Sequence, residues 1–183
     1  MQILGIAGSL RKDSYNRALL RASQALTPEG MTIEAFDLIE IPQYNGDVEN
    51  EGFPPSVIAL KEAIRKADAL LIATPEYNYS VPGVLKNAID WASRPPKDTP
   101  LHRKPAAIMG ATMGSGGTIR AQLNLRQSFV FTQTLAMLQP EILVSKAQEK
   151  FDAQGNLKDE GTRKALVAFL EAFQKWIQYF SQP

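Results

Sequence analysis

The chain has 183 residues, 44% of them hydrophobic, with 20 Lys and Arg against 19 Asp and Glu for a net charge of +1. The absence of cysteine excludes disulfides, thiolate nucleophiles, Cys-ligated zinc and iron–sulfur clusters, and a single histidine, His102, excludes His-rich metal sites. A charge so near zero is not the footprint of a dedicated nucleic-acid binder or a polybasic membrane module, so the chemistry falls to hydroxyls, amides, backbone, carboxylates or a borrowed cofactor.

The length fits one domain over residues 1–183, able to bury roughly 70% of its unfolded surface. Residues 3–8 are apolar, but no basic region precedes them and Arg11-Lys12-Asp13 follows at once, unlike a signal peptide. No apolar run approaches the ~20 residues needed to span a bilayer. A soluble, cytoplasmic protein without membrane insertion is expected.

In chain order, the compact apolar run 2–7 ends in Gly8-Ser9 and predicts a first strand. A helix follows over 14–27, with Leu19, Ala22 and Leu26 at helical spacing. A more polar run at 32–36 is the second strand, and 56–66 is amphipathic through Val57, Leu60, Ile64 and Ala67. Residues 69–73 are the third strand. The next helix covers 81–93, with Ser80 placed to cap it and Pro82 near its first turn, where a missing N–H costs little. The fourth strand is 105–112, a long helix is expected over 118–138, and 141–144 is the fifth strand. Residues 160–180 close the chain with Leu166, Phe169, Phe173, Ile177 and Phe180 spaced by three or four, a core-facing stripe. The segments 38–55 and 145–159 are the longest irregular stretches. Five buried strands with intervening helices predict βαβ units in a three-layer α/β domain, its parallel sheet covered on both faces.

In such sheets ligands bind beyond the carboxyl ends of the strands, where strand order reverses. That singles out the loops after the first, third and fourth strands. The first reads Gly8-Ser9-Leu10-Arg11-Lys12-Asp13-Ser14-Tyr15-Asn16 and enters a helix, whose free N–H groups and positive dipole end suit an anion. Ser9, Ser14 and Asn16 add neutral donors, and Arg11 can fork onto phosphate oxygens. It is neither a Walker loop nor Gly-x-Gly-x-x-Gly. Read alone, the same loop also fits a tight strand–helix turn capped by Ser14 or Asp13. The second loop, Pro75-Glu76-Tyr77-Asn78-Tyr79-Ser80-Val81-Pro82-Gly83, is stiffened by proline at both ends and suits the edge of a flat heteroaromatic ring. It fits a rigid surface turn about as well. The third, Thr112-Met113-Gly114-Ser115-Gly116-Gly117, lets backbone approach a ligand closely. Three such loops at the three expected strand ends say more than any one of them.

Gly8-Ser9-Leu10-Arg11-x-x-Ser14-x-Asn16, together with Pro75-Glu76-Tyr77-Asn78-Tyr79-Ser80-Val81-Pro82-Gly83-x-Leu85-Lys86-Asn87-Ala88-Ile89-Asp90-Trp91, strongly resembles the NADPH-dependent FMN reductase family. These are flavodoxin-like enzymes that include quinone, chromate and azo-dye reductases. The resemblance implies a five-stranded parallel sheet in order 2-1-3-4-5, non-covalent FMN, and a homodimer or homotetramer. It also implies that Ser9, Leu10, Arg11, Ser14, Tyr15 and Asn16 surround the FMN phosphate. Pro75, Glu76, Tyr77, Asn78 and Tyr79 would line the isoalloxazine, and Thr112 and Ser115 would meet the ring or ribityl chain, Ser115 being the least secure.

The expected activity is therefore two-electron transfer from NADPH or NADH through FMN to small-molecule acceptors, in a ping-pong cycle. The acceptors would be quinones, flavins, azo compounds or chromate. No side chain is assigned a catalytic role, because the flavin carries the chemistry. The alternatives are a flavodoxin-type electron carrier without NAD(P)H turnover, which the charge of +1 disfavours, and a flavin-free protein that kept the fold. Among the remaining residues, His102 reads as a solvated loop residue and Asp90 and Trp91 as packing. Arg120 and Arg126 read first as contacts across a dimer interface and second as partners of the nucleotide phosphate. Tyr44, Asn45 and Asp47 either reach a neighbouring subunit's flavin or belong to a plain surface loop.

Overall fold

The computed structural model of the chain describes residues 1–181. Its elements run β1 (Gln2–Ala7), α1 (Tyr15–Ala25), β2 (Thr32–Phe36), α2 (Gly46–Glu51), α3 (Pro55–Lys66), β3 (Ala69–Ala73), α4 (Gly83–Ala92), β4 (Pro105–Ala111), α5 (Ile119–Thr132), β5 (Leu135–Ala136), β6 (Ile142–Val144), α6 (Ala147–Lys150) and α7 (Glu160–Ser181). The strands order as β2-β1-β3-β4-β5, and every pairing is parallel. This is the flavodoxin-like order expected from the sequence, and it reverses between β1 and β3.

Side chains of a strand alternate between faces. Leu71, Ala73, Ala107 and Met109 therefore pack with α1 and α7, while Leu70, Ile72, Ala106 and Ile108 pack with α3, α4 and α5. Both faces being covered, β3 and β4 are buried throughout and read as unbroken apolar runs rather than as alternating ones. On α7 the stripe Leu166, Phe169, Phe173 and Ile177 lies in the core, while Phe180 is only partly buried and packs edge-on against Trp176 at 4.9 Å. Each aliphatic side chain so removed from water contributes about 1.5–3 kcal/mol.

Four local expectations are corrected. The helix expected over 118–138 stops at Thr132, where Gln133 takes a left-handed conformation with φ 56°. Thr132 and Thr134 then join their hydroxyls at 2.8 Å, and Thr134 donates on to the Leu101 carbonyl, committing the following residues to extended chain. The fifth strand position is accordingly filled by two short pieces, β5 beside the start of β4 and β6 beside its end. Ser80 does not cap α4: Pro82 holds the cap position without a side-chain bond, and the Ser80 hydroxyl accepts from the Asn124 amide instead. The segments 38–55 and 145–159 carry the short helices α2 and α6, and Phe151 bridges Leu157.

The 38–45 stretch is fastened inward. Asn87 accepts from the Tyr44 N–H at 2.7 Å, and Asn87 and the buried Trp91 both donate to the Pro42 carbonyl at 2.8 Å. The Tyr44 ring meets Trp91 edge-on at 4.9 Å, its hydroxyl donates to Glu49, and Asn45 caps α2 by accepting from the Asp47 N–H. These residues are thus committed within their own chain.

At the start of α7, Asp159 accepts from the Thr162 hydroxyl at 2.5 Å and from its N–H at 2.8 Å. The hydroxyl bond first, and the N–H bond second, hold the Asp159 carboxyl below its ordinary value of 3.8. A depressed carboxyl stabilises the fold fully above the ordinary value, and that contribution is lost as pH falls through the lower folded value. Asp159→Ala is therefore expected to lower the urea midpoint at pH 7, and the gap from wild type should narrow as the pH is lowered below the ordinary carboxyl value of 3.8. A gap constant across that range would contradict this role.

Candidate active site

The loops after β1, β3 and β4 meet at one end of the sheet because their strands are adjacent in it. Hydrogen bonds stitch them together. The Gly8 N–H donates to the Ala73 carbonyl and the Thr74 N–H to the Met109 carbonyl, both at 2.9 Å. The Ser9 and Tyr77 hydroxyls lie 3.5 Å apart, joining the first loop to the second. Asn16 joins the first to the third: its amide donates to the Ala111 carbonyl and accepts from the Ala111 N–H, each at 2.9 Å.

The thirteen residues expected around a flavin divide into those the fold has engaged and those it leaves open. Ser14 is the N-cap of α1, accepting from the Asn16 and Arg17 N–H groups. The buried Asn16 commits one amide N–H and its amide oxygen to β4, which makes it a strut between loops. Tyr15 leans on Phe151 with ring centres 5.6 Å apart. Pro75 is buried and its carbonyl accepts from the Thr74 hydroxyl. Glu76, expected along the ring, is turned onto α5: it accepts from the Arg120 N–H at 3.0 Å, the Ala121 N–H at 3.3 Å and the Arg120 guanidinium at 3.2 Å. Thr112 is half-buried, its N–H on the Val144 carbonyl and its hydroxyl accepting from the Gly114 N–H.

The open groups are Leu10, the Arg11 side chain, Asn78 and Ser115, all exposed, and Tyr79 is exposed as well but braced from α5. Among the described residues, Leu10, Lys12 and Asp13 form no hydrogen bond, so their N–H groups are free beside the start of α1. The Arg11 guanidinium also lacks a partner there. A helix N-terminus, unbonded N–H groups and a free guanidinium are together an arrangement able to hold an anion.

The second loop is a two-residue hairpin. Tyr77 and Ser80 exchange backbone bonds of 3.2 and 3.0 Å, and Asn78 and Tyr79 between them both have positive φ, 50° and 66°. Two successive left-handed residues define a type I′ turn. For Tyr79 the conformation costs on the order of 1 kcal/mol and needs outside support. Arg120 supplies it by lying 3.9 Å above the Tyr79 ring while paired to Glu76, and Asn124 donates to the Tyr79 carbonyl at 3.0 Å. Arg120 is thus engaged within its own chain, as is Arg126, which donates to the Met137 carbonyl at 2.9 Å. Burial holds the Arg126 guanidinium below its ordinary value. Composition gave no signal for this brace, since its partners lie 44 and 45 residues apart.

Glu76→Ala is expected to remove the cap of α5 and free Arg120, lowering Tm by about 4 °C and weakening FMN binding through a loosened hairpin. Calorimetry and flavin titration check it; an unchanged FMN affinity would show that the brace does not shape the site.

With relative exposures of 51% for Tyr77, 67% for Tyr79 and 61% for Met113, the loops form an open shelf. Its polar and aromatic surfaces suit a ring lying against them with one face accessible. Among the described residues no cluster of three or more His, Asp or Glu could hold a metal ion, and no helix is long and apolar enough to cross a membrane. His102 is exposed in the connection before β4.

The family model of NADPH-dependent FMN reductase matches residues 1–149. An NAD(P)H-dependent FMN reductase of Pseudomonas aeruginosa is 54% identical over 178 residues, covering 97% of this chain and 96% of the relative. A quinone reductase of Escherichia coli is 46% identical over 181 residues, covering 97% and 96%. The solved structure of FerB, a flavoenzyme NAD(P)H:(acceptor) oxidoreductase from Paracoccus denitrificans, superposes with a TM-score of 0.90 at 38% identity over 98% of both chains. The fold and the three loops define a flavodoxin-like oxidoreductase. The chain belongs to the NADPH-dependent FMN reductase family, with FMN and NAD(P)H as its cofactors.

Proposed function

We propose that the chain is a quinone reductase working in two half-reactions on one open shelf, the reductant leaving before the acceptor enters. FMN, when bound, would supply the two-electron relay between NAD(P)H and the acceptor. The protein holds and orients. The Arg11 guanidinium, the start of α1 and the free N–H groups of Leu10, Lys12 and Asp13 would seat the phosphate, with the buried Ser9 hydroxyl, which accepts from the Arg11 N–H, beside them. Asn78 and the hairpin backbone offer donors to the polar edge of the ring, and such donors favour added negative charge there. Tyr77 and Tyr79 cover apolar surface, and Ser115 and Thr112 flank from the third loop.

The observation that carries this reading is the pairing of a free anion seat with an exposed, braced tyrosine hairpin on adjacent strands. Two relatives named for quinone reduction support the choice of acceptor. The open shelf suits other planar or small oxidants, so free flavins, azo compounds and chromate are proposed as secondary acceptors. Steady-state rates with NADPH and a benzoquinone, each varied at several fixed levels of the other, should give parallel double-reciprocal lines. Intersecting lines would refute the shared shelf, and no turnover with either nucleotide would favour an electron carrier.

We further propose a homodimer or homotetramer. Ile119, Leu123, Val130 and Phe131 are exposed along α5, an apolar stripe suited to a second copy of the chain. Sedimentation of a monomer at micromolar concentration would refute that.

A further inference from the structure

A cleft of about 250 Å³ runs from the N-terminus of α1 along its flank to the turn at residues 152–155. Arg11, Tyr15 and Arg21 line one side, and Met113, Asp152 and Gly155 the other. The cleft has a cation at each end. Arg21 lies seven residues beyond the Ser14 cap, roughly 10 Å along the helix axis. One phosphate at the start of α1 cannot occupy both ends.

Arg21 is held for binding but is not neutralised. Four residues earlier on the same helix, Arg17 is paired to Asp37 at 2.6 Å. Arg21 has no ion pair or hydrogen bond among the described residues. Its guanidinium lies across Gly155, where an added Cβ would come within 2.7 Å of Nη2. Asp152, the nearest carboxylate of that turn, is directed into the turn itself. It accepts from the Gln154 N–H at 2.9 Å, the Asn156 N–H at 2.7 Å and the Asn156 amide at 2.9 Å. Asp13 also lines the cleft, at the Arg11 end. The far end thus offers a forked, unpaired cation beside the Gly155 turn.

A guanidinium in that state suits a phosphate monoester. The volume falls short of the roughly 300 Å³ at which pockets enclose a whole small ligand, so the cleft takes one end of a longer molecule. Resting on the assignment of the loop cluster to FMN, we propose that this cleft receives the 2′-phosphate end of NADPH and that Arg21 distinguishes NADPH from NADH.

The test titrates 2′,5′-ADP and 5′-AMP calorimetrically into the FMN-loaded protein, wild type and Arg21→Ala. Arg21 is exposed on α1, so the variant should fold normally. Wild type should bind 2′,5′-ADP about tenfold more tightly than 5′-AMP, and the variant should lose that preference. The KM for NADPH should rise by a similar factor while the KM for NADH and the Kd for FMN stay put. Retention of the preference in Arg21→Ala would overturn the proposal. So would an equal loss of FMN affinity, which would assign the cleft to the flavin's own phosphate. Arg21-dependent binding of 2′,5′-ADP by a protein that oxidises neither nucleotide would uphold the site while removing the function assigned to the loops.

Discussion

Gly110→Ala is expected to cost roughly 3 kcal/mol of stability or more, together with most of the protein's hold on FMN. Gly110 lies in β4 directly beneath the loop cluster. A Cβ there would stand 1.8 Å from the Thr118 hydroxyl oxygen and 2.6 Å from the Thr74 carbonyl oxygen. Neither neighbour can easily move. Thr118 is buried and already left-handed, with φ 67°. Gly117 before it has φ 55° and packs so closely on Leu143 that its own Cβ would meet the Leu143 carbonyl carbon at 2.6 Å. Relief must come from lifting the start of α5 off the sheet, which carries away Arg120 and the brace under the hairpin. Urea unfolding and flavin retention on gel filtration measure both effects. A loss below about 1 kcal/mol would show that α5 yields more freely than these contacts imply.

Asn16→Ala is the second large effect. It leaves the Ala111 N–H and carbonyl without partners in a buried place, at about 1–3 kcal/mol for each. The first and third loops also lose the bond that sets their spacing, so FMN should bind more weakly even though Asn16 itself faces away from the anion seat. Asn16→Asp discriminates the cause. It keeps the acceptor for the Ala111 N–H but sets a carboxylate against the Ala111 carbonyl, so it should rescue little. Full recovery in the aspartate variant would mean that only the accepting half matters.

Much of this architecture was legible because burial on both faces writes β3 and β4 as unbroken apolar runs, and because α1, α3 and α7 carry clean helical stripes. The 133–138 stretch was not. Its apolar residues suit a helix as well as a strand, and only pairing with β4, distant in sequence, decides between them. The site shows the same division. The three loops could be picked out from their polar residues and their places after strands. Which of those residues face a ligand could not, because Asn16 is turned away by a bond across 95 residues and Glu76 by one across 44. Arg21 looks in sequence like its neighbour Arg17. Only a carboxylate beside Arg17 and a glycine beside Arg21 set them apart.

An open flavin shelf that serves both reductant and acceptor has a direct signature in the anaerobic visible spectrum of the FMN-saturated protein. One equivalent of NADPH should bleach the flavin bands, and one equivalent of a benzoquinone should restore them. Bands that persist through NADPH and NADH alike would contradict the claim and leave an electron carrier, and a protein that retains no flavin would contradict the site itself.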